Sequence, residues 1–190
     1  MSDALRIERF NDYAVVVGYD PCPSSPREWD NLGKLWLQSR SVSLKECDEK
    51  ELGKARIKIP VYKYEHSGVV LKASEDGNPF TCPWDSCRIG TVAVSAETLR
   101  KEYSVKRVTR KIVEKAKKVL VDEVNTFSQY LEGDVYCFKV YKVDHDVPDA
   151  EVEDEGELID SCYGFYSVED AMEDGKAWLP DEALQWTPED

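Results

Sequence analysis

Histidine is almost missing from this chain: His66 and His145 are the only two in 190 residues. That leaves little room for general-base chemistry of the Ser-His or Cys-His kind. The phosphate loop G-x-x-x-x-G-K-[ST], the dinucleotide fingerprint G-x-G-x-x-G, H-E-x-x-H and G-x-S-x-G are all absent, which removes the commonest signatures of nucleotide binding, zinc proteolysis and α/β-hydrolase chemistry. No run of eighteen apolar residues occurs, so a membrane-spanning helix is not expected. The N-terminal MSDALRIERF lacks the basic-then-apolar order of a secretory signal. The expected compartment is therefore the cytoplasm, and the six cysteines read as reduced thiols rather than a disulfide framework.

Basic residues are missing from one stretch in particular. Residues 144–160, DHDVPDAEVEDEGELID, hold nine carboxylates and no lysine or arginine. Residues 144–190 carry 1 Lys+Arg against 17 Asp+Glu, whereas residues 1–143 carry 24 against 21, so the formal charge of −13 belongs to the last quarter. Residues 100–118, RKEYSVKRVTRKIVEKAKK, run the other way with nine basic and two acidic residues. Those bases interleave with apolar positions, as on a solvated helix face, and the net charge opposes long-range attraction to a polyanion. Direct nucleic-acid binding is not expected.

The size and the 42% hydrophobic content suit one domain over 1–190 with the acidic segment at 144–160. DYAVVVGYD, 12–20, closed by Pro21 and Pro23, reads as a buried strand that starts a sheet. ARIKIPVYKYEHSGVVLKA, 55–73, alternates around a His66-Ser67-Gly68 turn as two antiparallel strands, with Pro60 marking an edge or a bulge. IGTVAVS is a further strand, and Ser95 caps a short helix, AETLRKEY. Ile112, Ala116, Val119, Leu120, Val124, Phe127 and Leu131 recur at three- and four-residue steps, which predicts a long helix over 109–131 ended by Gly133. DVYCFKVYKV predicts a central strand and ELIDSCYGFY another. A short helix capped by Ser167 follows, with Asp170 at its third position. The expected fold class is α+β, a mostly antiparallel sheet packed by one long helix and two or three short ones.

SSPREWDNLG, 24–33, combines Ser25, Pro26, Glu28 and Gly33 in the order of a capped two-turn helix with a capping box; the functional alternative makes Arg27, Asp30 and Asn31 a polar binding cluster. Cys82 and Cys87 have four residues between them, at the loose end of zinc-pair spacing, but no second pair exists. No metal, cofactor or catalytic residue is expected. The candidate partner-binding residues are Asp144, Asp146, Asp149, Glu151, Glu153, Asp154, Glu155, Glu157 and Asp160. Carboxylates held in a line reproduce the charge of a nucleic-acid backbone, about one per 1.7 Å of duplex axis. Val147, Val152 and Leu158 are placed to pin the run to a core; the bland alternative is a solubilising loop.

SPREWDNLG, WDSCRIG, YLEGDVYCF and IDSCYGFY are similar, in this order, to the motifs S-P-R-x-x-D-N-L-G, W-D-S-x-x-x-G, Y-L-x-G-D-V-Y and D-S-C-x-G-F-Y of a family of small bacteriophage-encoded proteins. Cys87 and Arg88 fill variable positions of the second motif, and the resemblance brings no catalytic residues with it. It implies a phage protein acting in a host bacterial cell. Acidic phage proteins without catalytic motifs resemble, as a class, inhibitors of host defence. The expectation is a DNA mimic of anti-CRISPR type that occupies the basic DNA-binding groove of a CRISPR effector complex. A phage housekeeping binder and a metal-dependent nuclease or nucleotide-processing enzyme are the alternatives.

Overall fold

Strand β2, Tyr13–Tyr19, is buried along its first five residues, and its alternate side chains feed two different cores. Tyr13, Val15 and Val17 join one cluster while Ala14 and Val16 join another, as expected of an inner strand covered on both faces. The computed structural model that places these residues describes residues 4–184. It divides into two compact units, Met1–Ser24 with Gly133–Asp190, and Ser25–Glu132; the second is inserted in sequence between the halves of the first.

In the first unit β1 (Ala4–Phe10), β2, β8 (Tyr136–Lys142) and β9 (Glu157–Phe165) form an antiparallel sheet in the order β1-β2-β8-β9. Phe138 and Val140 of β8 complete the first core with Ala171 and Met172 of α5 (Val168–Ala177), together with Leu179 and Ala183. Tyr141, Val143 and Val152 close the second core on the opposite face. The central position expected for 134–143 is observed. β2 does not start the sheet: β1 precedes it, a strand concealed in sequence by Arg6, Glu8 and Arg9. Ser167 caps α5 by accepting a hydrogen bond from Asp170 N–H at 3.2 Å.

The second unit is a five-stranded antiparallel sheet, β4-β3-β7-β5-β6, built from β3 (Lys34–Gln38), β4 (Ser43–Lys45), β5 (Ile57–Glu65), β6 (Val69–Ala73) and β7 (Ser86–Val94). It also holds the short α1 (Glu49–Lys54) and α2 (Ala96–Glu102) and the long α3 (Arg110–Glu132). Ala116, Leu120, Val124 and Phe127 of α3 are buried with Leu35, Leu37, Ile59, Val61, Leu71 and Val92 of the sheet. Val119, expected in that stripe, is 38% exposed, and Val113 and Val121 pack partly against the core instead. Gly133, at φ 82°, supplies the left-handed residue that ends α3. Pro60 stands within the inner strand β5, beyond the last β6 pair at Val61 and Ala73, and the expected irregularity falls between Val61 and Tyr62.

SSPREWDNLG does not make a two-turn helix. One 3-10 turn, Pro26–Glu28, forms with Ser25 accepting from Arg27 N–H, so neither the capping box through Glu28 nor a helix end at Gly33 occurs. The reason is tertiary, because a Cβ at Gly33 would collide with Leu120 and stand 2.8 Å from Val92 and 2.9 Å from Glu123. That residue is bare so that the chain can pass beneath α3. Among the described residues no helix is long and apolar enough to cross a membrane.

Candidate partner-binding face

The acidic stretch begins as a loop after β8, turns through a 3-10 segment (Asp149–Glu151), makes the one-turn helix α4 (Val152–Glu155) and runs into β9. Its apolar residues hold it down. Val152 is fully buried, and Val147 packs partly against the same cluster. Leu158, the third expected pin, is 51% exposed; it belongs to an edge strand and reaches no core. Val147 N–H donates to Asp144 O at 3.1 Å and Gly156 N–H to Val152 O at 3.0 Å, so the backbone is bonded at both ends of the turn.

Two basic residues from neighbouring strands fix the run by its own charges. Arg9 of β1 donates to Asp149 Oδ1 at 2.9 Å and to Val147 O at 2.5 Å. Lys139 of β8 donates to Glu153 Oε1 at 2.7 Å, and that bond, ahead of the opposing effect of burial, holds the Lys139 ammonium above its ordinary range. Asp160 accepts the N–H of Ser161 at 2.7 Å, and Asp146 faces His145 at 3.2 Å. Among the described residues Asp144, Glu151, Asp154, Glu155 and Glu157 have no cation within ion-pair distance. An open depression of about 640 Å³ lies at the start of the run, lined among others by Asp12, Asp144, Asp146, Glu151 and Glu155.

Charge follows the division into units. The first unit holds 5 Lys+Arg and 22 Asp+Glu, net −17, and the second 20 against 16, net +4. All five cations of the first unit are engaged. Arg6 and Lys176 meet Glu8, Arg9 meets Asp149, Lys139 meets Glu153, and Lys142 Nζ lies 6.0 Å from the Tyr13 ring centroid. Four of these five cations are thus in ion pairs with carboxylates of their own unit, and among the described residues the other carboxylates of the unit far outnumber the one cation left outside an ion pair. The basic residues of 100–118 belong to the second unit, on α2, α3 and the segment between them.

The motif residues Arg27 and Asn31 are spent on structure. The Arg27 side chain is 5% exposed and binds both oxygens of Glu46, at 2.9 and 2.6 Å, Asn31 Oδ1 at 3.0 Å and Gly33 O at 2.7 Å. Glu123 of α3, 3.7 Å from Arg27, accepts the N–H groups of Leu32 and Gly33 at 2.6 and 3.0 Å. Burial pushes the Glu123 carboxyl above its ordinary range against the pull of those donors. No sequence spacing announces this network, because its members come from three separate parts of the chain. Asp30 is exposed and outside it. Cys82 donates to Asp85 Oδ2 at 3.2 Å and Cys87 is exposed on β7; among the described residues no three His, Cys, Asp or Glu side chains are grouped to hold a metal ion.

Ile159 and Tyr163 of β9 carried no functional expectation from the sequence; with Leu158 they are large apolar side chains of that strand left 45%, 49% and 51% exposed. In comparisons with family models, with curated proteins and with solved structures, nothing matches this chain.

Proposed function

We propose that the protein is an acidic DNA mimic of anti-defence type, whose first unit enters the basic DNA-binding groove of a bacterial host complex and excludes DNA from it. A CRISPR effector complex is the first target to examine. The observation that carries the reading is the sorting of charge: 22 carboxylates against 5 cations in one unit, with four of those cations already in ion pairs. Charge added for solubility alone has no reason to collect in one unit while the other is left at +4. Carboxylates fixed on a turn, a short helix and a strand present a defined pattern to a cationic groove, which steers association and sets orientation. The resemblance to phage proteins supplies the setting.

The test is gel-shift competition, in which a purified effector complex binds its duplex target in the presence of increasing protein. Wild type should displace the DNA. The triple variant Glu151→Lys, Asp154→Lys, Glu155→Lys should be weaker by a factor on the order of ten, since reversed charges slow association with a cationic groove. Reversal of Asp30, Asp76 and Glu102 in the second unit should change little. Glu153 is left intact because reversal there would set a second ammonium against Lys139. Undiminished competition by the triple variant removes the mimic reading, and magnesium-dependent loss of the DNA itself would turn the assignment to the nuclease alternative.

A further inference from the structure

We propose that β9 is a strand-pairing edge at which the first unit takes up a short, extended, basic segment of its protein partner. The identity of the occupant rests on the acidic-mimic reading; the edge itself rests on geometry. β9 is the outer strand of β1-β2-β8-β9. Its regular pairing with β8 runs from Asp160 opposite Val140 to Tyr163 opposite Cys137, with irregularities on either side. Within that window Ser161 N–H turns to its own Asp160 carboxylate rather than to β8. By the alternation of an antiparallel ladder, Ser161 and Tyr163 direct their backbone groups outward. An incoming carbonyl would accept the Ser161 N–H in place of the aspartate, freeing that carboxylate for a cation.

The side chains agree with the backbone. Leu158, Ile159 and Tyr163 are large apolar side chains left exposed on this single strand beside Glu157 and Asp160, more apolar surface than an edge facing only solvent needs. The other edge, β1, differs. Its Arg6, Glu8 and Arg9 are tied into ion pairs with one another, Lys176 and Asp149, and it shows one large exposed apolar side chain, Leu5.

Charge selects the occupant. A second copy pairing edge to edge would bring the Glu157 and Asp160 carboxylates of one copy close to those of the other, between two units of net −17 each, and like charges across a strand pair destabilise it. A segment alternating Lys or Arg with apolar residues meets the apolar side chains and the carboxylates together. Main-chain bonds then give affinity and the alternate side chains specificity.

The probe is the end-blocked heptapeptide Lys-Val-Lys-Val-Lys-Val-Lys, compared with the same peptide N-methylated at alternate residues. The two have equal charge and differ in their capacity to pair as strands. The unmodified peptide should slow amide exchange at Ser161 and Tyr163 of the wild-type protein and bind roughly tenfold or more tightly than its methylated form, the effect of two lost backbone hydrogen bonds. Equal binding of the two peptides, no binding, or protection confined to residues outside β9 overturns the proposal, as does self-association in sedimentation that charge reversal at Glu157 strengthens. Ser161→Pro removes an outward N–H and no bond to β8, and it should weaken DNA competition in the gel-shift assay. Competition that survives this variant overturns strand pairing and leaves the mimic reading standing. Protection of Ser161 and Tyr163 by the peptide, with no displacement of DNA by wild type, overturns the mimic reading and leaves the edge as a peptide site.

Discussion

Arg27 sits between two carboxylates that lie 19 and 96 residues away along the chain, Glu46 and Glu123. Removing one partner of such a network leaves buried charge or bare N–H groups, which costs more than the pair contributes. Glu123 is the member whose titration should be visible. Burial raises its pKa in the folded state, ahead of the opposing pull from the Leu32 and Gly33 N–H groups and from Arg27. A carboxyl whose folded pKa exceeds its unfolded value binds its proton more readily in the native state. Its contribution to stability is therefore complete below the ordinary carboxylate range and is lost as pH rises through the raised value. Glu123→Gln removes this titration. The advantage of wild type over the variant in thermal midpoint should shrink as pH goes from about 4 to about 7. An advantage that grows over that interval would show that the two amides and Arg27 outweigh burial and hold the carboxylate as an anion.

At the scale of the element, α3 makes a clean comparison available in two consecutive residues. Leu120 is fully buried and Val119 is 38% exposed. Leu120→Ala should cost about 2–5 kcal/mol in denaturant unfolding, and Val119→Ala about 0.5 kcal/mol or less. Equal losses would place the helix at a different rotation on its sheet. The contrast also marks what periodicity can and cannot deliver. α3 and the β5–β6 hairpin were legible because each repeats apolar residues at the period of its own geometry, β2 and β8 because they are short apolar runs covered on both faces, and α5 because Ser167 and Asp170 mark its first turn. β1 was not, because the alternation of Leu5 and Ile7 with Arg6 and Glu8 is short and breaks at Arg9; nor was β4, which is three residues long. β3 offers only Leu35 and Leu37 as buried positions, too few to establish a period. SSPREWDNLG misled for a different reason: its residue types fit helix ends, but Arg27 and Gly33 answer to α3 and Glu46 rather than to their neighbours. Of the candidate face, the carboxylates and the anchors Val147 and Val152 were visible in sequence. The bonds from Arg9 to Asp149 and from Lys139 to Glu153 were not, since they depend on which strands become neighbours.

For the molecule as a whole, the partition of charge should appear in its stability as well as in its partners. Within the first unit, added salt weakens the pairs of Glu8, Asp149 and Glu153, but it also screens repulsion among carboxylates that outnumber cations 22 to 5. The pairs are few and at least partly exposed, and such contacts contribute about 0–1 kcal/mol each. The repulsion is summed over many like charges, which opposes the compact state. The Debye length falls from about 30 Å at 0.01 M salt to about 8 Å at 0.15 M, so the distant terms vanish first and the repulsion loses more than the contacts do. Salt over this range should therefore stabilise the first unit. The readout is native-state amide exchange, resolved by residue. Exchange at Val15, Val17, Phe138 and Val140, all within the first unit's cores, should slow as sodium chloride is added. Exchange at Leu35, Ile59 and Leu120 of the second unit, where the net charge is +4, should change little. Faster exchange in the first unit would mean that its few ion pairs outweigh the excess of carboxylates, and equal slowing in both units would assign the effect to salt in general rather than to the distribution of charge.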